Sequence, residues 1–139
     1  METLQRLADK REQAAARAMA DALRQLQEQR GRMEGLSGFR QEYAQRLIEN
    51  GRQGMGVNRL RDHQRFLERL DEAQLQQVEA IRRAEEACTQ QRQLWMLARR
   101  NSATYDRLAE QYRQAARHEA ERREQRETDE HATRHHAND

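Results

Sequence analysis

The chain has 139 residues, with 36% of them charged, 35% hydrophobic and 4% aromatic. Basic and acidic residues nearly cancel, 26 against 24, so the formal net charge is only +2 although the sequence pI is about 9.1. A mean hydropathy of −1.33 excludes a large compact core and favours long helices with narrow seams.

There is no proline, and the six glycines all fall between Gly31 and Gly56. Proline breaks helices by removing an N–H and crowding the preceding turn. The tight cluster Asn50-Gly51-Arg52-Gln53-Gly54-Met55-Gly56 reads as a single bend. The expected fold is all-α: one domain over 1–139, a long antiparallel two-helix coiled-coil hairpin with the second helix longer than the first.

A first helix is predicted over about 2–50. Its start, Met1-Glu2-Thr3-Leu4-Gln5-Arg6, has no apolar run, which predicts neither a signal peptide nor a membrane span. A 3–4 walk gives Leu4, Ala8, Arg11, Ala15, Ala18, Ala22, Leu26, Gln29, Met33, Leu36, Phe39, Tyr43 and Leu47 as the seam. Gly31, Gly35 and Gly38 weaken the prediction locally, since interior glycine costs about 1 kcal/mol against alanine. The bend is predicted over about 51–57.

A second helix is predicted over about 58–130, capped by Asn58. One heptad position reads Leu60, Leu67, Gln74, Ile81, Cys88, Trp95, Ser102, Ala109, Ala116, and the other His63, Leu70, Gln77, Ala84, Gln91, Ala98, Tyr105, Tyr112. This register runs without a slip and is the strongest periodic signal in the chain. Gln74, Gln77 and Gln91 make the seam polar, which costs stability and sets register. Cys88 is the single cysteine, so no internal disulfide can form, and at a seam position it reads as a structural thiol. The polar stretch 131–139 is predicted to be a disordered tail.

The helices are unequal, roughly 73 Å and 110 Å long at 1.5 Å per residue. Folding about the bend puts Leu4 opposite Ala103 and leaves an overhang. Tyr105, Leu108, Ala109, Tyr112, Ala115 and Ala116 continue an apolar stripe into it. Such a stripe is a docking surface, a homodimer seam or a frayed end. An elongated monomer is expected at low concentration.

The charges are interleaved. Glu28 with Arg32, Glu42 with Arg46, Glu79 with Arg83, and Glu119 with Arg123 have the i,i+4 spacing of helix ion pairs. A self-paired, solvated surface is the expectation, without the one-sided basic stripe a nucleic-acid binder needs. No catalytic constellation, phosphate loop or cofactor motif is visible. His131 and His135 have a metal-compatible i,i+4 spacing, but lack cysteine neighbours, and no metal is expected. His63 reads as a seam histidine.

Phe39, Tyr43 and Phe66 flank the bend. Leu36, Phe39 and Tyr43 step by 3 and 4, and Phe66, Leu70 and Ala73 by 4 and 3, so antiparallel pairing brings the two trios to one level. They either fill the seam or form an apolar patch for a partner, and the spacing leaves both open.

The run Phe39-Arg40-Gln41-Glu42-Tyr43, the glycine-containing bend, and Asn58-Arg59-Leu60-Arg61-Asp62-His63-Gln64-Arg65-Phe66-Leu67-Glu68-Arg69-Leu70-Asp71-Glu72-Ala73 resemble the FliJ family of flagellar type III export proteins. Trp95 and the pair Asp129-Glu130 extend the resemblance over about residues 30–134. The resemblance implies a non-enzymatic, cytoplasmic stalk protein working at the inner face of the inner membrane. Its implied partners are the hexameric export ATPase, the membrane export gate protein FlhA and export chaperones, with no insertion into the membrane and no cofactor. It implies gate binding through Leu36, Phe39, Tyr43, Phe66, Leu70 and Ala73, and ATPase docking at the end carrying both termini, where the stripe supplies Tyr105, Leu108, Tyr112 and Ala116. The alternatives are the stalk of a virulence-type secretion system, and a generic coiled-coil scaffold or homodimer.

Overall fold

The computed structural model describes residues 2–138, and two α-helices account for nearly all of them. Helix α1 spans Glu2–Arg52 and helix α2 spans Val57–Asn138, 51 and 82 residues. Among the described residues there is no strand. The fold is all-α, with two helices packed against each other and the second longer, as the proline and glycine distribution predicts.

The bend is tighter than predicted, residues 53–56. The last turn of α1 contracts, with Gln53 N–H donating to the Asn50 carbonyl and Gly54 N–H to that of Gly51, each at 3.2 Å. Gly54 then takes a φ of +93°, a conformation in which a Cβ would be strained. Leu60 N–H donates to the Gly56 carbonyl at 3.1 Å, so Gly56, not Asn58, caps α2. Glycine is an acceptable cap because its carbonyl starts the ladder without steric cost. The other end of α2 also departs from the reading: the helix continues through His131 and His135 to Asn138. Nothing past Gly56 breaks it, since the remaining sequence holds neither glycine nor proline.

Helix α1 passes without interruption through Gly31, Gly35 and Gly38, and a Cβ on any of them would meet nothing within 4 Å. These glycines mark an open outer surface, not a close approach.

Contacts gather in two compact units. In residues 15–95 the helices run antiparallel on either side of the bend. Ala22, Leu26 and Cys88 form the buried cluster, with Ile81 and Ala84 packed on it. The polar seam positions are matched across the helices. Gln77 Nε2 donates to the carbonyl and the Oε1 of Gln29 at 2.7 Å, and Gln74 Nε2 donates to Ser37 Oγ at 3.1 Å. Pairing glutamines inside the seam avoids the penalty of an unsatisfied buried polar group and fixes the register.

The second unit joins the start of α1, up to Ala14, to α2 from Met96 onward. Ala8, Ser102 and Ala109 are buried there. Ser102 Oγ donates to Asp9 Oδ1 and Gln5 Nε2 to Asp106 Oδ1, both at 2.6 Å.

The α2 heptad holds over its middle, where every position from His63 to Ala109 is buried or half-buried, while Leu60 before it and Tyr112 and Ala116 after it are exposed. The α1 walk needs correcting. Leu4, Arg11 and Phe39 are exposed, and Gln5, Glu12 and Arg40 stand inward in their places. The true α1 seam is the heptad Gln5, Glu12, Met19, Leu26, Met33, Arg40, Leu47 with Ala8, Ala15, Ala22, Gln29, Leu36, Tyr43. Preferring the apolar residue fails at Leu4 and Phe39, where Gln5 and Arg40 close the seam by hydrogen bonds to Asp106 and Asp71. Of the four predicted i,i+4 ion pairs, Arg83–Glu79 (3.3 Å) and Arg123–Glu119 (3.7 Å) form. Among the described residues Glu28 and Glu42 carry no ion pair.

Candidate docking surfaces

The heptads dictate the patch beside the bend. Tyr43 and His63 are seam positions facing each other, while Phe39 and Phe66 stand one position outward on the same flank. The Tyr43 and Phe66 rings lie 4.7 Å apart, Phe39 and Phe66 6.3 Å edge to face, and Phe39 and Tyr43 6.4 Å. The Tyr43 hydroxyl shares a hydrogen bond with His63 Nδ1 inside the aromatic cluster. Arg40 crosses the opposite flank to Asp71, with Nε donating to Oδ1 at 2.5 Å. Hydrogen bonding to Asp71, reinforced by its charge, raises the Arg40 pKa.

Of the six predicted gate residues, Phe39, Tyr43 and Phe66 form one ring cluster, and the six are not equally available. Leu70 is buried in the seam, so its side chain holds the helices together. Leu36, Tyr43, Phe66 and Ala73 are half-buried, and Phe39 is 50% exposed. The seam and patch readings therefore divide by residue. His63 completes the cluster and Arg40 closes the opposite flank; neither was in the predicted set. The α1 heptad phase would have found Arg40.

The second candidate surface lies in the other unit. Tyr105 is half-buried and Ala109 buried against the start of α1, so the unpaired region begins later than predicted. Leu108 sits at its edge, 36% exposed, and Tyr112 is 63% exposed. Ala116 is exposed, as is every other described side chain after Ala109. Glu2, Gln5, Ala109, Tyr112, Arg113 and Ala116 line an open groove of about 380 Å³. It is the step left where α1 begins and the α2 heptad runs on.

Beyond the groove, α2 is held by contacts within itself. Glu110 is bridged by Arg113 at 3.2 Å and Arg117 at 3.3 Å, and Gln125 Nε2 donates to Asp129 Oδ1 at 3.1 Å. Hydroxyls of Thr128 and Thr133 cap the carbonyls one turn back at 2.8 Å. Among the described residues no group of three or more His, Cys, Asp or Glu side chains is placed to hold a metal. No described helix is long and apolar enough to cross a membrane.

An α-helical hairpin whose apolar side chains form a narrow seam and two partly open surfaces defines a class of coiled-coil interaction proteins. The chain belongs to the FliJ family: the family model described as "Flagellar FliJ protein" matches residues 1–139. This places it among flagellar export-related proteins, in a family of the non-catalytic stalk and chaperone type. No curated protein and no solved structure matches the chain.

Proposed function

We propose that the chain is a non-enzymatic, cytoplasmic stalk of the flagellar export apparatus, peripheral to the inner membrane. It docks into the hexameric export ATPase through Leu108, Tyr112 and Ala116, with Tyr105 supporting them from the seam. It engages the export gate protein FlhA through Phe39, Tyr43, Phe66, Leu36 and Ala73, positioned by Leu70, and it carries export chaperones.

The observation that supports this reading best is the α2 heptad continuing past Ala109 onto a face that α1 does not cover. Covering such a face stabilises a complex by about 25 cal/mol per Å² of apolar surface, before the cost of association. Long helices without proline, with a charged and self-paired surface, suit a part that must sit in a ring of subunits without sticking to it.

Two variants of the full chain separate the surfaces. Removing residues after Ala109 is expected to abolish stimulation of ATP hydrolysis and leave gate binding in a pull-down unchanged. Replacing Phe39→Ala with Phe66→Ala should do the reverse, with helicity by circular dichroism retained. Full stimulation by the truncated chain would refute the assigned polarity.

A further inference from the structure

Within residues 15–95 the two flanks of the hairpin differ. One is crossed by polar bonds: Arg30 to Glu85 at 3.5 Å, Arg40 to Asp71, and Gln74 to Ser37. The other is crossed beside the bend by the aromatic contacts Phe39–Phe66 and Tyr43–Phe66. Along that second flank α2 places Phe66, Ala73, Ala80, Ala87 and Leu94, one every seventh residue. The first four are half-buried and Leu94 is 54% exposed. On α2 this is a third apolar row beside the two seam rows, which a helix confined to a two-stranded seam does not need; the matching α1 row, Ala18, Gln25, Arg32 and Phe39, is mixed, with Gln25 and Arg32 exposed.

The rims of this flank carry opposite charge. The outer row of α1 holds Asp21, Glu28, Gly35 and Glu42; the outer row of α2 holds Arg69, Gln76, Arg83 and Gln90. The cross-helix pairs Gln29–Gln77, Arg30–Glu85, Arg40–Asp71 and Tyr43–His63 put Glu28 level with Arg83 and Glu42 level with Arg69. Glu28, Glu42 and Arg69 have no ion-pair partner among the described residues. A two-fold axis parallel to the helices would lay α1 of one copy on α2 of the other, without any shift in level. Glu28 would then meet Arg83 and Glu42 would meet Arg69, twice each. Gly35, with open space around it, would admit Gln76.

We propose that this flank, through the apolar row of α2 and its oppositely charged rims, is a self-association surface, on which a second copy of the chain seats face to face in parallel. From Phe66 to Leu94 the row is about 42 Å long. At two helices' width it covers about 800 Å² per copy, or about 1,600 Å² in all, the size of an ordinary specific interface. Phe39, Phe66 and Ala73 lie on the same flank. On the functional reading above, a second copy would hide the gate-binding surface. That consequence rests on that reading; the self-association does not.

Sedimentation equilibrium of the full chain tests the proposal. A reversible dimer is expected with a dissociation constant on the order of tens of micromolar, since association costs consume most of the burial. Glu28→Arg with Glu42→Arg should weaken it at least about tenfold, as should Arg69→Glu with Arg83→Glu, by placing like charges together. All four replacements in one chain restore the pairing and should bring the constant back to within about threefold of the parent. Ala80→Arg with Ala87→Arg should leave a monomer of unchanged helicity. A parent monomeric into the hundreds of micromolar, a dimer indifferent to Ala80→Arg with Ala87→Arg, or failure of the four-fold variant to recover would overturn the proposal.

Discussion

Helix α2 is one continuous helix under two regimes. From His63 to Ala109 its heptad positions are buried or half-buried against α1; from Glu110 onward every described side chain is exposed. In the first stretch helicity is backed by burial and by matched polar pairs such as Gln77 with Gln29. In the second it rests on propensity and on contacts one turn apart, such as Arg123 with Glu119, each worth a few tenths of a kcal/mol. The pattern of the sequence runs on where the partner stops. A helix of this kind carries its own shape into a region whose packing another protein must supply.

The comparison can be broken most sharply in the seam. Leu26→Ala removes the largest buried aliphatic side chain of the Ala22–Leu26–Cys88 cluster and should cost about 2–5 kcal/mol, read as a lower urea midpoint. Removing residues after Arg117 should do almost nothing to that midpoint, about 0.5 kcal/mol at most, while taking helical signal away. If the truncation costs as much as Leu26→Ala, the two regimes are not separate.

An intermediate effect sharpens it from the opposite side. Gly35→Ala should stabilise the chain by about 1 kcal/mol, since the helix is continuous there and the space is open. A loss of stability would mean that the glycine has a packing role.

The smallest effect is electrostatic. Hydrogen bonding from Arg82 lowers the Glu79 pKa from 4.5 to about 2. A depressed carboxylate contributes stability that is fully present above the unfolded pKa and is lost as pH falls through the folded one. Acid titration from pH 4.5 down to about 2 should therefore destabilise the parent more than Glu79→Gln. The difference should be slight, because the pair is exposed to solvent and screened.

How much of this was legible depended on which residues carried the pattern. The bend was legible from the glycine cluster, and the α2 seam from Leu67, Leu70, Ile81, Cys88 and Trp95, whose spacing admits one phase. The α1 seam was not, because its first turns are alanine-rich and apolar residues occur on both sides. Leu4 and Phe39 looked like seam residues, while Gln5 and Arg40 take those places by reaching Asp106 and Asp71. The cross-helix partner decides there, and it is distant in sequence. The end of α2 was hidden for a related reason: composition gives polarity, but a stretch without glycine or proline, with one-turn contacts such as Gln125–Asp129, is still helical. At the bend, the aromatic spacing predicted a cluster without saying that Leu70 would be buried and Phe39 exposed.

Backbone hydrogen exchange of the full chain, alone and with the export ATPase hexamer, tests the central claim most directly. The account predicts slow exchange over residues 63–95 in both states, and fast exchange over residues 110–137 that slows markedly when the ATPase is added. Equal protection of both stretches in the free chain, or ATPase-dependent protection at the Phe39–Tyr43–Phe66 cluster in place of residues 110–137, would contradict it.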